Sequence, residues 1–190
     1  MTDYQAIIDK YYPADASDPE SRRIYMLHAR QVTNLALALN RERSLGIDPQ
    51  LLEGAAMLHD IGIFATDAPG IHCFGTLPYL QHGVIGARLL RDENAPEQWA
   101  LVAERHTGTG ITAEDIIQQD MPLPLADYMP VTLLEKLVCY ADKFYSKSGT
   151  MRKKPIERVR ASMARHGSDT LARFQEMYNL FGESDADIQP

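Results

Sequence analysis

Cysteine is nearly absent: Cys73 and Cys139 are the only two in 190 residues, far apart and without a CxxC spacing. Such a pair argues against a disulfide framework, and a reducing cytoplasm is the expected compartment. No apolar run approaches the length that a membrane span needs. The opening stretch, MTDYQAIIDKYYP, scatters charges where a secretory signal would keep an unbroken apolar core. Basic charge does not predominate either. Lys and Arg number 19 against 26 Asp and Glu, a formal net charge of −7. That balance speaks against a general binder of nucleic acid or of anionic membranes, while leaving room for a local basic patch. Strand signals are weak, with no useful period-two alternation and no Asn-Gly or Asp-Gly hairpin. Repeats, low-complexity tracts and an obvious domain boundary are missing too, so one domain over residues 1–190 is expected.

What the sequence does have is helical periodicity in a chain that is 45% hydrophobic and 24% charged, an ordinary globular balance. Apolar positions recur at helical spacing through SRRIYMLHARQVTNLALALNRE, with Ser21 as the expected N-cap. In IDPQLLEGAAMLHDIG, Asp48 reads as N-cap, Pro49 as the first helical residue and Gly62 as the stop. LPYLQHGVIGARLLRD, APEQWALVAERHTG and VTLLEKLVCYADKFYSKS read as further helices, as do residues 155–166 and 168–181. Residues 64–77 and 118–130, punctuated by Pro and Gly, read as loops. The expected fold class is all-α.

Histidine and aspartate sit on the apolar stripes of these helices. His28 shares a stripe with Ile24, Val32, Leu35 and Leu39, and His59 continues that of Leu52 and Ala56. His82 aligns with Ile85 and Leu89, His106 with Trp99 and Val102, and Asp142 with Leu134 and Val138. Each points inward if its helix turns its apolar face to the core. One histidine so placed is ordinarily a hydrogen-bonded core or capping residue, and one inward aspartate a cap or ion-pair partner. Four imidazoles and two carboxylates buried in one small domain are costly unless something satisfies them together. One or two metal ions would do so, and helical bundles build such sites between facing helices. His59 and Asp60 are neighbours, about 100° apart around a helix, so both reach one ion only near a helix end. There Asp60, with two oxygens, could bridge two ions. Histidine and carboxylate ligands without cysteine suit iron, manganese, zinc or cobalt rather than a structural zinc knot.

The ordered series His28 … His59-Asp60 … His82 … His106 … Asp142, with its local form HDIG, resembles the HD superfamily of metal-dependent phosphohydrolases over about residues 20–150. ERHTGTGIT and TLLEKLVCYADKFYSKSG are similar to a group of small HD proteins and, within the superfamily, to the symmetrical diadenosine tetraphosphatases. The resemblance implies an HD-type helical bundle with a metal site between helices, a core over about residues 20–150 and C-terminal helices over residues 151–185. It implies two divalent transition-metal ions, iron or manganese foremost, with zinc, cobalt or nickel as alternatives. His28, His59, Asp60 and Asp142 would hold the first ion, and Asp60, His82 and His106 the second. It further implies hydrolysis of a phosphate ester or anhydride by a metal-bridging hydroxide, with a nucleotide or dinucleoside polyphosphate as the small-molecule substrate. Neither nucleic acid nor membrane is expected as a partner; the oligomeric state is open, a homodimer included.

This chain departs from the family pattern at one place. Many such phosphohydrolases carry Lys or Arg directly after HDIG; here that position is Ile63. Lys143, Lys147, Arg152 and Lys153 cluster after the last ligand and are the candidates to replace the missing cation. Lys143 is preferred, as a catalytic cation beside Asp142, with Lys147 and Arg152 as substrate-binding residues. Lys153 and Lys154 read better as a solvated basic helix end. His72, in the loop over the expected site, is a further candidate for substrate contact, whereas His166 before Gly167 reads as a cap and the two cysteines as packing residues. A rival reading exists, because some HD-fold proteins with closely similar ligands are mixed-valence di-iron oxygenases acting on a phosphonate or polyol. The scarcity of placed phosphate-binding cations leans slightly toward it.

Overall fold

The computed structural model describes residues 2–15 and 18–186. Helices dominate. Tyr4–Tyr11 (α1) leads into Pro19–Glu42 (α2) and Pro49–Leu58 (α3), followed by His82–Asp92 (α4) and Glu97–Arg105 (α5). Ala113–Gln118 (α6), Leu133–Asp142 (α7), Ile156–Ala164 (α8) and Ser168–Phe181 (α9) complete the helical set. The loop over residues 64–77 carries a two-residue hairpin, Asp67–Ala68 (β1) antiparallel to Cys73–Phe74 (β2), with Asp67 opposite Phe74. Among the described residues no helix is long and apolar enough to cross a membrane.

The long periodic segments fold as their patterns require, and the exceptions have local causes. α3 begins as expected, the Asp48 carboxylate accepting from the Leu51 N–H with Pro49 at the first position. α2 starts two residues before Ser21. Asp18 caps it by accepting from the Glu20 N–H, and Pro19, whose missing N–H costs nothing in the first turn, takes the first helical position. Gly62 does not stop α3, which ends four residues earlier at Leu58. Gly62 has an ordinary right-handed φ of −84°. Its role is a close approach: a Cβ there would lie 2.3 Å from the His82 carbonyl oxygen and 2.6 Å from the Gly86 nitrogen. The missing side chain lets the turn after α3 rest on the start of α4.

The core is built where α2 packs on α3 and α7, α3 on α5, and α4 on α5. Ile24, Val32, Leu35, Leu39, Leu52, Ala56, Val102, Leu137 and Val138 are buried in it, so the predicted stripes do face inward. The same stripes bury His28, His59, Asp60, His82 and His106 at 3% exposure or less, and Asp142 at 9%. A smaller apolar cluster of Ile111, Ile116 and Tyr128, backed by Leu80 and Met121, stands beside the main core. It is tied by reciprocal backbone hydrogen bonds between Ile111 and Tyr128.

Candidate metal centre

All of the six buried groups except His28 sit at or beside helix ends, Asp60 directly after His59, where backbone carbonyls lack helical partners. His59 is the C-cap of α3 and His106 that of α5, His82 opens α4 after a 3-10 turn, and Asp142 closes α7. The three histidines among them use this position in the same way. Nδ1 of His59 lies 2.6 Å from the Ala56 carbonyl oxygen, Nδ1 of His82 2.6 Å from that of Tyr79, and Nδ1 of His106 2.8 Å from that of Ala103. A carbonyl only accepts, so each Nδ1 carries a proton and each Nε2 is turned inward. This is the arrangement that fixes tautomer and orientation in metal-binding histidines. His28 comes from the middle of α2 and faces the same point.

The inward atoms fall into two groups that share Asp60: His28, His59, Asp60 and Asp142, and Asp60, His82 and His106, each with its ligand atoms within 4.8 Å of one another. Asp60 divides its oxygens between them. Oδ2 lies 3.1 Å from Nε2 of both His28 and His59, whereas Oδ1 lies 3.3 Å from Nε2 of His106 and 3.5 Å from that of His82. Asp142 Oδ1 is 3.0 Å from His28 Nε2 and 3.6 Å from His59 Nε2. Nε2 atoms also face each other, 3.3 Å apart between His28 and His59 and 3.1 Å apart between His82 and His106.

At His82 and His106, whose protons sit on Nδ1, the two facing nitrogens cannot satisfy one another. Asp60 Oδ1 and His28 Nδ1 are buried without a well-directed hydrogen bond, a deficit that costs a few kcal/mol per group when nothing fills it. The donor set therefore fits divalent metal, with oxygen and imidazole ligands converging and no thiolate among them.

Charge explains the rest of the local order. Burial alone would raise the Asp60 and Asp142 carboxyls. Lys147 and His59 outweigh this at Asp60, and Lys143 and Lys147 at Asp142, holding both well below the usual carboxylate range. The Lys147 ammonium is 2.6 Å from Asp60 Oδ2. Lys143 is 2.8 Å from Asp142 Oδ2 and donates to the His106 carbonyl at 3.1 Å.

A cavity of about 430 Å³ opens beside the cluster, with Asp142, Lys143, Lys147 and Lys154 in its wall and Ile71 and Tyr79 among its apolar lining. The loop over residues 64–77 thus does cover the site, but it brings Gly70 and Ile71 to the cavity rather than His72. His72, with a left-handed φ of 56°, turns its ring outward to Asp18, 3.0 Å from its carboxylate. Arg152 is exposed and is not among the residues lining the cavity.

The reading of Lys153 and Lys154 as a solvated helix end needs correction. Lys153 donates to the carbonyls of Ser184 and Ala186 and ties down the C-terminal segment. Lys154 is turned to the cavity because its N–H donates to the Phe144 carbonyl at 2.8 Å, folding the segment back over α7. Burial pulls the Lys154 ammonium down to about 8, and its side chain has no ion-pair partner among the described residues. No local sequence signal marks it. Tyr79 also escapes sequence reasoning, although its position three residues before His82 is the signal. Its carbonyl orients His82, and its ring stacks on that imidazole with centroids 4.7 Å apart.

Residues 25–146 match the family described as the HD domain. An uncharacterised protein of Methanocaldococcus jannaschii is 41% identical over 108 residues, 57% of this chain and 56% of that protein. A tRNA (cytidine(56)-2'-O)-methyltransferase of Thermoplasma volcanium is 31% identical over 147 residues, 77% of this chain. Its counterpart in Picrophilus torridus is 34% identical over 110 residues, 58% of this chain. The chain spans about half the length of the first relative and 37% and 28% of the two methyltransferases, whose name describes those whole proteins. Among solved structures, the HD domain of the Listeria monocytogenes phosphodiesterase PgpH shares the fold with a TM-score of 0.52 and 16% identity, over 93% of this chain and 95% of that one. The same domain in complex with cyclic-di-AMP gives a TM-score of 0.52 at 17% identity, over 98% and 99%.

Proposed function

This chain belongs to the HD-domain family, the superfamily of metal-dependent phosphohydrolases that its ligand series resembles, and on that premise we propose that it hydrolyses a phosphate ester or anhydride of a nucleotide, a dinucleoside polyphosphate included, at a dinuclear centre in a single HD-type domain. The observation that carries the reading is the division of the Asp60 oxygens between two ligand groups beside a cavity walled by Lys143, Lys147 and Lys154. In a chain of net charge −7 that concentration of cations is local, and it suits an anionic substrate.

In the reaction, water adds to phosphorus, the bond from phosphorus to the leaving oxygen breaks, and that oxygen takes up a proton. Divalent ions held by His28, His59, Asp60 and Asp142, and by Asp60, His82 and His106, would acidify the water and neutralise charge on the phosphoryl oxygens. The protein's own residues do the positioning. Lys147 and Lys154 face the cavity and bind phosphoryl oxygens as charged donors. Lys143 joins Asp142 to the His106 carbonyl and thereby holds ligands of both groups in register while adding positive potential. Tyr79 and Ile71 line the cavity beside these cations and give the substrate an apolar surface to rest on. Substrate contact is thus assigned to Lys147 and Lys154, with His72 and Arg152 outside the cavity wall. A cytoplasmic setting accords with such a substrate.

Lysines in the cavity wall supply the cations that the position of Ile63 does not, and with them goes the feature that leaned toward a di-iron oxygenase. Phosphate release from a nucleotide panel by anaerobically purified, metal-replete protein tests the proposal. Release without oxygen is the expected result; turnover of a phosphonate or polyol that requires oxygen would establish the oxygenase instead.

A further inference from the structure

Lys154 stands between two cavities. Besides the one at the metal cluster it walls another, of about 390 Å³, lined by Leu35, Tyr140 and Phe144 on one side and by residues 182–185 on another. Its side chain is half-buried and has no ion-pair partner among the described residues. An ammonium so placed would turn to water if its backbone were free. Which way it faces is therefore decided by what holds residues 151–154.

That stretch is moored at Met151, Lys153 and Lys154. The Gln31 amide of α2 donates to the Met151 carbonyl at 2.7 Å in a buried contact, where Met151 takes a left-handed φ of 49°. The Lys154 N–H donates to the Phe144 carbonyl at 2.8 Å. Between these two, the Lys153 ammonium donates to the carbonyls of Ser184 and Ala186, the second at 3.1 Å.

Residues 182–186 are themselves fastened as a strap. Gly182 takes a left-handed φ of 63° where the chain leaves α9, and a Cβ there would lie 2.7 Å from the Arg43 guanidinium. Arg43 donates to the Phe181 carbonyl at 2.9 Å and to that of Glu183 at 3.0 Å, and the Tyr140 hydroxyl donates to that of Gly182 at 2.6 Å. Ser184 is buried, its hydroxyl 3.0 Å from a Glu42 carboxylate oxygen. Glu42 and Arg43 stand at the end of α2 and Tyr140 on α7. The strap is thus anchored to the core on its own, and Lys153 joins the loop to it.

We propose that Lys153 is a positioning residue: bracing its loop against the strap, it keeps the Lys154 ammonium in the cavity at the metal cluster, where that ammonium meets the phosphoryl oxygens of the substrate. The inference rests on the reading of Lys154 as a substrate contact and brings residues 182–186 into the site's apparatus.

Lys153→Met tests it, since Met keeps an unbranched stem and loses the donors. Tyr140→Phe loosens the strap from the core side without touching the loop. On metal-loaded protein, Lys153→Met should lower kcat/KM for phosphate release by a few-fold, and Lys153→Arg, whose fork can reach both carbonyls, should restore most of it. In a Lys154→Ala background Lys153→Met should add no loss, because a residue that acts through Lys154 has nothing left to position. Additive losses overturn the proposal.

Two further readouts need no turnover. Hydrogen exchange across residues 146–155 should quicken by about tenfold or more in Lys153→Met, and by less in Tyr140→Phe, with α3 and α5 unchanged. Calorimetric binding of inorganic phosphate should weaken by a few-fold in Lys153→Met, and no further where Lys154 is already replaced. Unchanged exchange or unchanged phosphate affinity in the folded variant overturns the brace. If Lys153→Met does not fold, Tyr140→Phe carries every comparison. If wild type releases no phosphate from any substrate, the hydrolase reading falls and these two readouts decide the brace alone; a wild type that binds no phosphate overturns it.

Discussion

The two ligand groups share Asp60 yet balance their charge in opposite ways. In the first, two carboxylates face two imidazoles. Burial alone would strip the proton from His59, but Asp60 and Asp142 outweigh it and lift that imidazole to about 9. In the second, one carboxylate oxygen serves two imidazoles, and burial, with His106 alongside, takes His82 down to about 3. The first group can neutralise itself with a proton. The second holds two proton-free nitrogens 3.1 Å apart and has only a cation to bring them together. The lesson is that the same ligand types, buried alike, balance their charge differently according to how many carboxylates face them, and that Asp60 belongs to both groups.

The change that breaks this comparison most severely is Asp60→Ala. It removes an oxygen from each group and the negative charge that would lie between two ions about 3.5–4 Å apart, which would then repel strongly. Metal content should fall nearly to zero and activity with it, while circular dichroism reports a folded chain. His106→Ala instead takes one ligand from the second group alone. About one ion per chain should remain, with activity down on the order of a hundredfold or more. Equal metal content in these two folded variants would contradict the bridging role of Asp60.

Smaller changes sharpen the comparison without touching a ligand. Lys154→Ala removes a cavity cation that pairs with no carboxylate, so metal content should hold while kcat/KM falls by about tenfold, the worth of one charge-assisted hydrogen bond. Unaltered kinetics would remove Lys154 from the substrate contacts and leave Lys147 as the cation to examine.

The smallest effect concerns the strut between the groups. Arg105, next to His106, pairs at 2.9 Å with Glu135, one α7 residue that also accepts from the Val131 N–H and the Thr132 hydroxyl. Burial would raise the Glu135 carboxyl, but these three donors hold it below its ordinary value. Its contribution is therefore present at neutral pH and lost as pH falls through the lowered folded-state value. Chemical denaturation should show Glu135→Gln less stable than wild type by about 1–2 kcal/mol at pH 7, with the gap closing below pH 4. A constant gap across that range would show that the charge of Glu135 is not the source.

How much of this was legible beforehand depended on whether the signal was local. The buried cluster was legible because histidines and aspartates on apolar stripes are conspicuous, and His28, His59, His82, His106 and Asp142 all turned inward. The long helices were legible for the same reason. α6, with six residues, is too short to show a period, and its capping box was the one available clue. Gly62 looked like a helix stop because glycine usually is one; its contact with α4 is a matter of tertiary approach that no spacing in the chain encodes. Lys154 belongs to the same class, since the backbone bond to the Phe144 carbonyl that turns it to the cavity is a tertiary return of the chain. His72 was legible as part of the covering loop, but the left-handed turn that points its ring to Asp18 was not.

Metal stoichiometry of the wild-type chain, loaded anaerobically with iron or manganese and freed of loosely bound ions, tests the central claim most directly. Two ligand groups joined through Asp60 predict about two ions per chain. A folded, metal-replete chain that binds none, or that saturates at one, would contradict it.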